Sequence, residues 1–161
     1  MAGVDASTGT DMYRLELRRV LAAPRKDVYS AWTERHVLER WLCHDADKNQ
    51  VRMRKFDLRP NGSFRVEVTK GTEVYLVFGT YEELAPHERL VFSWAWERML
   101  PNTGELTSEG PTHVTVQLAE QGDATELRLT QDGFPSVERR DADRATWNAS
   151  FAALEQILAS G

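Results

Sequence analysis

The sequence predicts an α+β fold with a meandering antiparallel β-sheet of about six to seven strands and a long C-terminal α-helix able to cross it. Three observations carry that expectation. From residue 51 to residue 132 the chain repeatedly alternates apolar and polar side chains with a period of two, the pattern of half-buried strands. After Gly133-Phe134-Pro135 the period becomes helical and holds to about Ala159. Between the first strand and the sheet, residues 24–42 carry helical spacing in a stretch long enough only for two short helices.

Each element follows in order. Tyr13, Leu15 and Leu17 alternate with Arg14, Glu16 and Arg18, which makes "YRLELRRV" the first strand. Pro24 suits a helix start, and Val28, Tyr29, Trp32, Val37, Leu38, Trp41 and Leu42 recur at helical intervals, with Thr33-Glu34 marking a break between two helices. "CHDADKNQ" (43–50) is polar and irregular. "VRMRKFDLRPNGSFRVEV" reads as a hairpin turning at Pro60-Asn61-Gly62, with Phe64, Val66 and Val68 alternating after the turn. "TEVYLVFGTYEEL", "ERLVFSWAWE", "THVTVQLAE" and "TELRLTQD" supply four more strands, divided by Pro86, by "LPNTGELTSEGP" and by "QGDA". In "VFSWAW" (91–96), Phe92, Trp94 and Trp96 fall on one face. In the last helix Trp147, Phe151, Leu154 and Leu158 form a stripe, with Ala142, Ala145, Ala149 and Ala153 near it. About 20 residues at ~1.5 Å each span roughly 30 Å, enough to cross a sheet.

The totals bound the function. The 161 residues fit one domain with a substantial core, expected over 12–161 after a disordered tail at 1–11. A hydrophobic content of 41% with 28% charged residues is that of a globular chain, and the longest wholly apolar run, Val74 to Phe78, is far short of the roughly 20 residues of a membrane span. The N-terminus has neither the basic start nor the apolar block of a secretory signal, and the single cysteine, Cys43, makes no intrachain disulfide; a cytoplasmic location is expected. A net charge of -5 disfavours nucleic acid and anionic membrane as partners. No internal repeat, low-complexity segment or phosphate-cradling glycine loop is present in the sequence.

The stretches "APRKDVYSAWTERHVLERWL" (23–42), "FDLRPNGSFRVEV" (56–68), "FGTYEELAPHERLVFSW" (78–94) and "TELRLTQDGF" (125–134), taken in order, resemble the SRPBCC superfamily, which includes the START and birch-pollen-allergen proteins. More closely, they resemble homologues of the C-terminal domain of the activator of the 90-kDa heat-shock protein ATPase. The resemblance implies a helix-grip fold, in which the curved sheet wraps around the C-terminal helix and leaves a cavity for an apolar molecule. Two departures stand out: Thr146 precedes Trp147 where the family usually has glycine, and "HDADKNQVRMRK" is unusually polar.

The aromatic residues are therefore either filled core or the wall of a cavity. Phe64, Tyr75, Trp94, Trp96, Trp147 and Phe151 are the expected ligand-binding set, with Arg54, Glu109, His113 and Gln131 as candidate orienting groups. Cys43, His44, Asp45 and Asp47 lack the second separated pair of a zinc site, so no metal and no cofactor is expected, and Cys43 reads as a small apolar residue near the pocket rim. Glu82 and Glu83 would point to opposite faces of a strand and make no catalytic pair; Glu109 or His113 would be the candidate acid or base, and no catalytic residue is assigned. Arg59 in "DLRPNGSF" belongs to turn chemistry, "RMRK" divides its charges between faces, and "VERRDADR" is the exposed start of the last helix. The leading expectation is binding of an apolar or aromatic small molecule without catalysis. A chaperone-ATPase-activator-like interaction module follows, although the chain has no room for the separate N-terminal domain of the multidomain activators, and a cyclase- or aromatase-like enzyme comes third. A sheet edge or "ERMLPNTGEL" would offer the surface for a homodimer.

Overall fold

The computed structural model describes residues 12–44, 49–100 and 102–160. The expected tail at 1–11, and Asp45 and Asp47, lie outside the described residues. The elements run β1 (Tyr13–Leu21), α1 (Arg25–Thr33), α2 (Arg35–Trp41), β2 (Gln50–Phe56), β3 (Ser63–Lys70), β4 (Glu73–Ala85), β5 (Arg89–Met99), β6 (Leu106–Gln121), β7 (Ala124–Phe134) and α3 (Val137–Ser160). This is the expected α+β helix-grip arrangement.

The seven strands form one sheet in the order β1-β7-β6-β5-β4-β3-β2, antiparallel throughout. β1 and β2 occupy opposite edges, so α1 and α2 must carry the chain from one side of the sheet to the other. They do so across the inner face, α1 against β6 and β7 and α2 against β2 and α3. The break between them falls at Glu34, whose φ of -115° and ψ of 124° are extended, while Thr33 Oγ1 donates back to Tyr29 O at 2.8 Å. Trp41 Nε1 donates to Ala31 O at 3.0 Å and locks the second helix onto the first.

α3 buries Trp147, Ser150, Phe151 and Leu154, a helical stripe that continues the expected one. Its first turns differ from expectation. Ala142 and Ala145 are exposed, and Arg139 and Asp143, two turns and one turn before Trp147, take the inward phase instead. The helix packs on β1 and β7. The stripe joins Trp32, Trp41, Phe64, Phe92 and Trp94 in a continuous aromatic core, with centroid separations from 4.7 Å for Trp32–Trp41 to 6.3 Å for Trp32–Phe151. Such spacings suit tilted and edge-to-face pairs, and truncating one such ring costs about 3–5 kcal/mol.

Two glycines shape the sheet. A Cβ on Gly79 would lie 2.8 Å from Phe64 Cζ and 1.9 Å from Ser93 O, so the Phe64 ring rests directly on β4 backbone. Gly110, at φ +105°, sits where the register of β5 on β6 shifts between Trp94 and Trp96. Pairing then resumes with Trp96 opposite Glu109 and Met99 opposite Leu106, so much of "LPNTGELTSEGP", expected as a connection, is strand. Its polar residues hid it because that end of β6 is exposed on both faces. A second bulge between Tyr81 and Glu83 breaks strict alternation, so Glu82 and Glu83 are both exposed rather than divided between faces, and they pair with His113 at 3.1 Å and Arg89 at 3.2 Å.

Candidate ligand-binding site

Because α3 leans on β1 and β7, a wedge opens between its N-terminal half and β3–β5. It holds a cavity of about 360 Å³, open to solvent on one side. Val68 of β3, Val77 of β4, Trp94 and Trp96 of β5, Trp147 of α3 and Leu42 beyond α2 form its apolar wall. Tyr75, Lys70, Arg98, Arg139, Asp143, Cys43, Asn49, Thr146 and Ser150 complete the lining. The volume lies in the lower part of the roughly 300–1,000 Å³ range of small-molecule sites.

Four of the six expected residues, Tyr75, Trp94, Trp96 and Trp147, face this space. The other two do not. Phe64 is 4% exposed and stacks behind Trp94, with centroids 6.1 Å apart, beside a small separate void. Phe151 is 1% exposed, 5.6 Å from the Trp147 ring and covered by the Arg19 guanidinium at 5.8 Å. Both support the wall from behind.

The expected orienting groups fall elsewhere. Arg54 is exposed and paired with Glu67 at 2.9 Å, and His113 is exposed beside Glu82. Glu109 lies behind Trp96, 3.8 Å from Arg139, against a gap of about 10 Å³. Gln131, 0% exposed, sits one layer behind the lining and fixes the residues that do reach it. Its Oε1 accepts from Trp147 Nε1 at 2.8 Å; its Nε2 donates to Thr112 Oγ1 at 2.8 Å and lies 3.3 Å from Asp143 Oδ2. Thr112 Oγ1 in turn donates to Trp94 O at 3.1 Å. One buried glutamine thus ties the two facing tryptophan-bearing walls together.

Arg98, Arg139 and Asp143 are among the polar lining residues that sequence reading missed, with Lys70, Asn49 and Ser150. Arg98 pairs with Glu73 at 3.4 Å and stands 5.8 Å from the Tyr75 ring. Arg139 pairs with Asp143 at 3.2 Å and lies over Trp96 at 5.3 Å. The signals were present: Arg98 follows Trp96 by two on a strand, and Arg139 and Asp143 precede Trp147 by eight and four on a helix. Burial pushes the Asp143 carboxyl above its ordinary range, against the opposing pull of Arg139 and of its hydrogen bonds to Gln131 and Arg139. Burial, with a smaller contribution from Asp143, pushes the Cys43 thiol up to about 12, which disfavours the nucleophilic thiolate. Cys43 lines the cavity, near where it was expected. His44 Nε2 lies 3.1 Å from Glu39 O, and no group of three or more potential metal ligands converges among the described residues. Arg59 is bound by Asp57 at 2.9 Å within its turn.

Residues 22–159 match the family described as activator of Hsp90 ATPase homolog 1-like protein. The chain belongs to that family. No curated protein matches significantly. Among solved structures, the family member's fold is similar to protein CV1439 from Chromobacterium violaceum, at 24% identity and a TM-score of 0.77 over 90% of this chain and 96% of that one. A Rhodobacter sphaeroides protein is 25% identical with a TM-score of 0.69 over 95% of each chain. CalU16 from Micromonospora echinospora is 22% identical with a TM-score of 0.63 over 90% of this chain and 75% of its own. No helix among the described residues is long and apolar enough to cross a membrane.

Proposed function

We propose that this activator-family homologue binds an apolar or aromatic small molecule in the wedge between β3–β5 and α3, with Tyr75, Trp94, Trp96 and Trp147 as the contact wall. The observation that carries the reading is a cavity of about 360 Å³ at which three of the five tryptophans converge. Tryptophans packed only as core leave no such space; a cavity walled by them offers a ligand ring faces and edges. A thermal-shift and tryptophan-fluorescence screen of aromatic compounds tests it. A ligand at 100 times its Kd adds about 2.7 kcal/mol, which for a chain of this length raises Tm by about 5–10 °C. Trp96→Ala, which truncates a half-buried wall residue, is expected to fold and to lose that shift. Absence of any Tm or fluorescence response across aromatic classes would overturn the reading.

The family description favours a second reading, an activator-like contact with a chaperone ATPase. Stimulation of ATP turnover by the 90-kDa chaperone on adding this protein is its direct test.

A further inference from the structure

Resting on the cavity reading, we propose that the ligand carries a carboxylate on its aromatic body, seated against Arg98 and Arg139 in the wedge. The lining is mixed. Leu42, Val68, Val77, Trp94 and Trp147 supply apolar wall, while Lys70, Arg98 and Arg139 bring three cations to the cavity. Asp143 is the one carboxylate among the described lining residues, and Glu73 and Glu109 approach from outside the lining to pair with Arg98 and Arg139.

Those pairs leave the arginines incompletely bound. The Nε atoms of both Arg98 and Arg139 are buried with no hydrogen-bond acceptor. The Arg98–Glu73 contact is long at 3.4 Å, and Arg139 Nε stands 3.8 Å from Glu109 Oε1, an oxygen that is itself buried without a donor. A buried guanidinium with incomplete pairing is costly, and two such groups lining one cavity mark a place where an anionic acceptor is favourable. Arg139 also occupies the first turn of α3, where its charge adds to the positive end of the helix dipole. The flat faces of Tyr75 and Trp96 beneath the two guanidinium groups keep them close to where an aromatic acid would place its carboxylate. The cavity has about twice the ~150 Å³ that accepts a benzene ring, so two fused rings with a short acidic group match it.

The test compares 2-naphthoate with its neutral amide, 2-naphthamide, by tryptophan fluorescence titration of the full chain at low and at 0.5 M salt. The naphthoate is expected to bind at least about tenfold more tightly, a factor equal to ~1.4 kcal/mol. That preference is expected to shrink in salt and in Arg98→Gln, the naphthoate losing more affinity than the naphthamide in each case. Arg139→Gln provides a second variant, and a Tm for each shows that it folds. Equal affinity of the two probes, a preference for the amide, or an acid preference kept by both variants would overturn the carboxylate assignment while leaving the cavity reading in place. Binding of neither probe at millimolar concentration would overturn the cavity reading, and this inference with it.

Discussion

Replacing Gln131 with leucine is expected to destabilise the protein through Trp147 rather than through lost volume. Leucine is close to glutamine in size, so the apolar packing changes little. The Trp147 indole N–H, 2.8 Å from Gln131 Oε1, would lose its acceptor at a position only 3% exposed. Leaving one buried donor unpaired costs about 1–3 kcal/mol. Thr112 keeps its bond to Trp94 O and Asp143 keeps Arg139, so their losses are smaller. A total of about 3 kcal/mol lowers Tm by about 6–12 °C in a chain of this length. The deciding assay is a double-mutant cycle in urea with Trp147→Phe. In that background no indole N–H remains to be stranded, so Gln131→Leu should cost about 1–3 kcal/mol less than in the wild type. Additive effects, within about 0.5 kcal/mol, would refute the idea that Gln131 acts by holding Trp147.

Three further outcomes follow from the same geometry. Gly110→Ala places a Cβ 2.9 Å from Ala95 Cα and Trp94 O at a φ of +105°, so a loss of at least about 2 kcal/mol in urea unfolding is expected, with altered fluorescence from the neighbouring Trp96. Cys43, buried and with its thiol pushed up to about 12, should react with a disulfide reagent far more slowly in the native protein than in urea, and more slowly again when the cavity is occupied; equal rates would contradict its burial. Asp143, raised chiefly by burial, binds its proton more readily folded than unfolded, so its ionisation costs stability as pH rises through its folded pKa. The wild type should therefore gain stability relative to Asp143→Asn as pH falls from neutrality towards the ordinary carboxylate range, and a Tm difference independent of pH would contradict this.

The order of elements was legible because each inner strand buries one face against a helix layer and its period-two pattern survives in sequence. The short helices were legible because Thr33 and Glu34 interrupt an otherwise helical spacing. What escaped lay where backbone geometry departs from its period. The bulges after Tyr81 and after Trp94 exposed Glu82 and Glu83 together and extended β6 into a polar segment. Part of the cavity wall was also legible, since Trp94, Trp96 and Trp147 could be placed by periodicity. Phe64 and Phe151 were misplaced because periodicity gives the face of a residue and not its depth beneath that face. Arg98, Arg139 and Asp143 were passed over because charged residues near element ends ordinarily belong to solvent.

Those three charged residues also explain why the wedge stays open. Around Trp147 and Phe151, α3 meets the buried rings of Trp32, Trp41 and Trp94. One and two turns earlier the same inward phase brings Asp143 and Arg139 towards the sheet, opposite Arg98. Closing the helix onto β5 there would desolvate two guanidinium groups and a carboxylate whose pairs are incomplete, and that penalty opposes the apolar attraction between Trp96 and the helix. An apolar residue at 139 or 143 would remove the opposition. Arg139→Leu with Asp143→Leu should therefore let the first turns of α3 settle against Trp94 and Trp96. The expected signature is a higher Tm, a blue shift in tryptophan emission and loss of naphthoate binding in one variant. A lower Tm, or unchanged emission, would mean that shape and not charge holds the wedge apart.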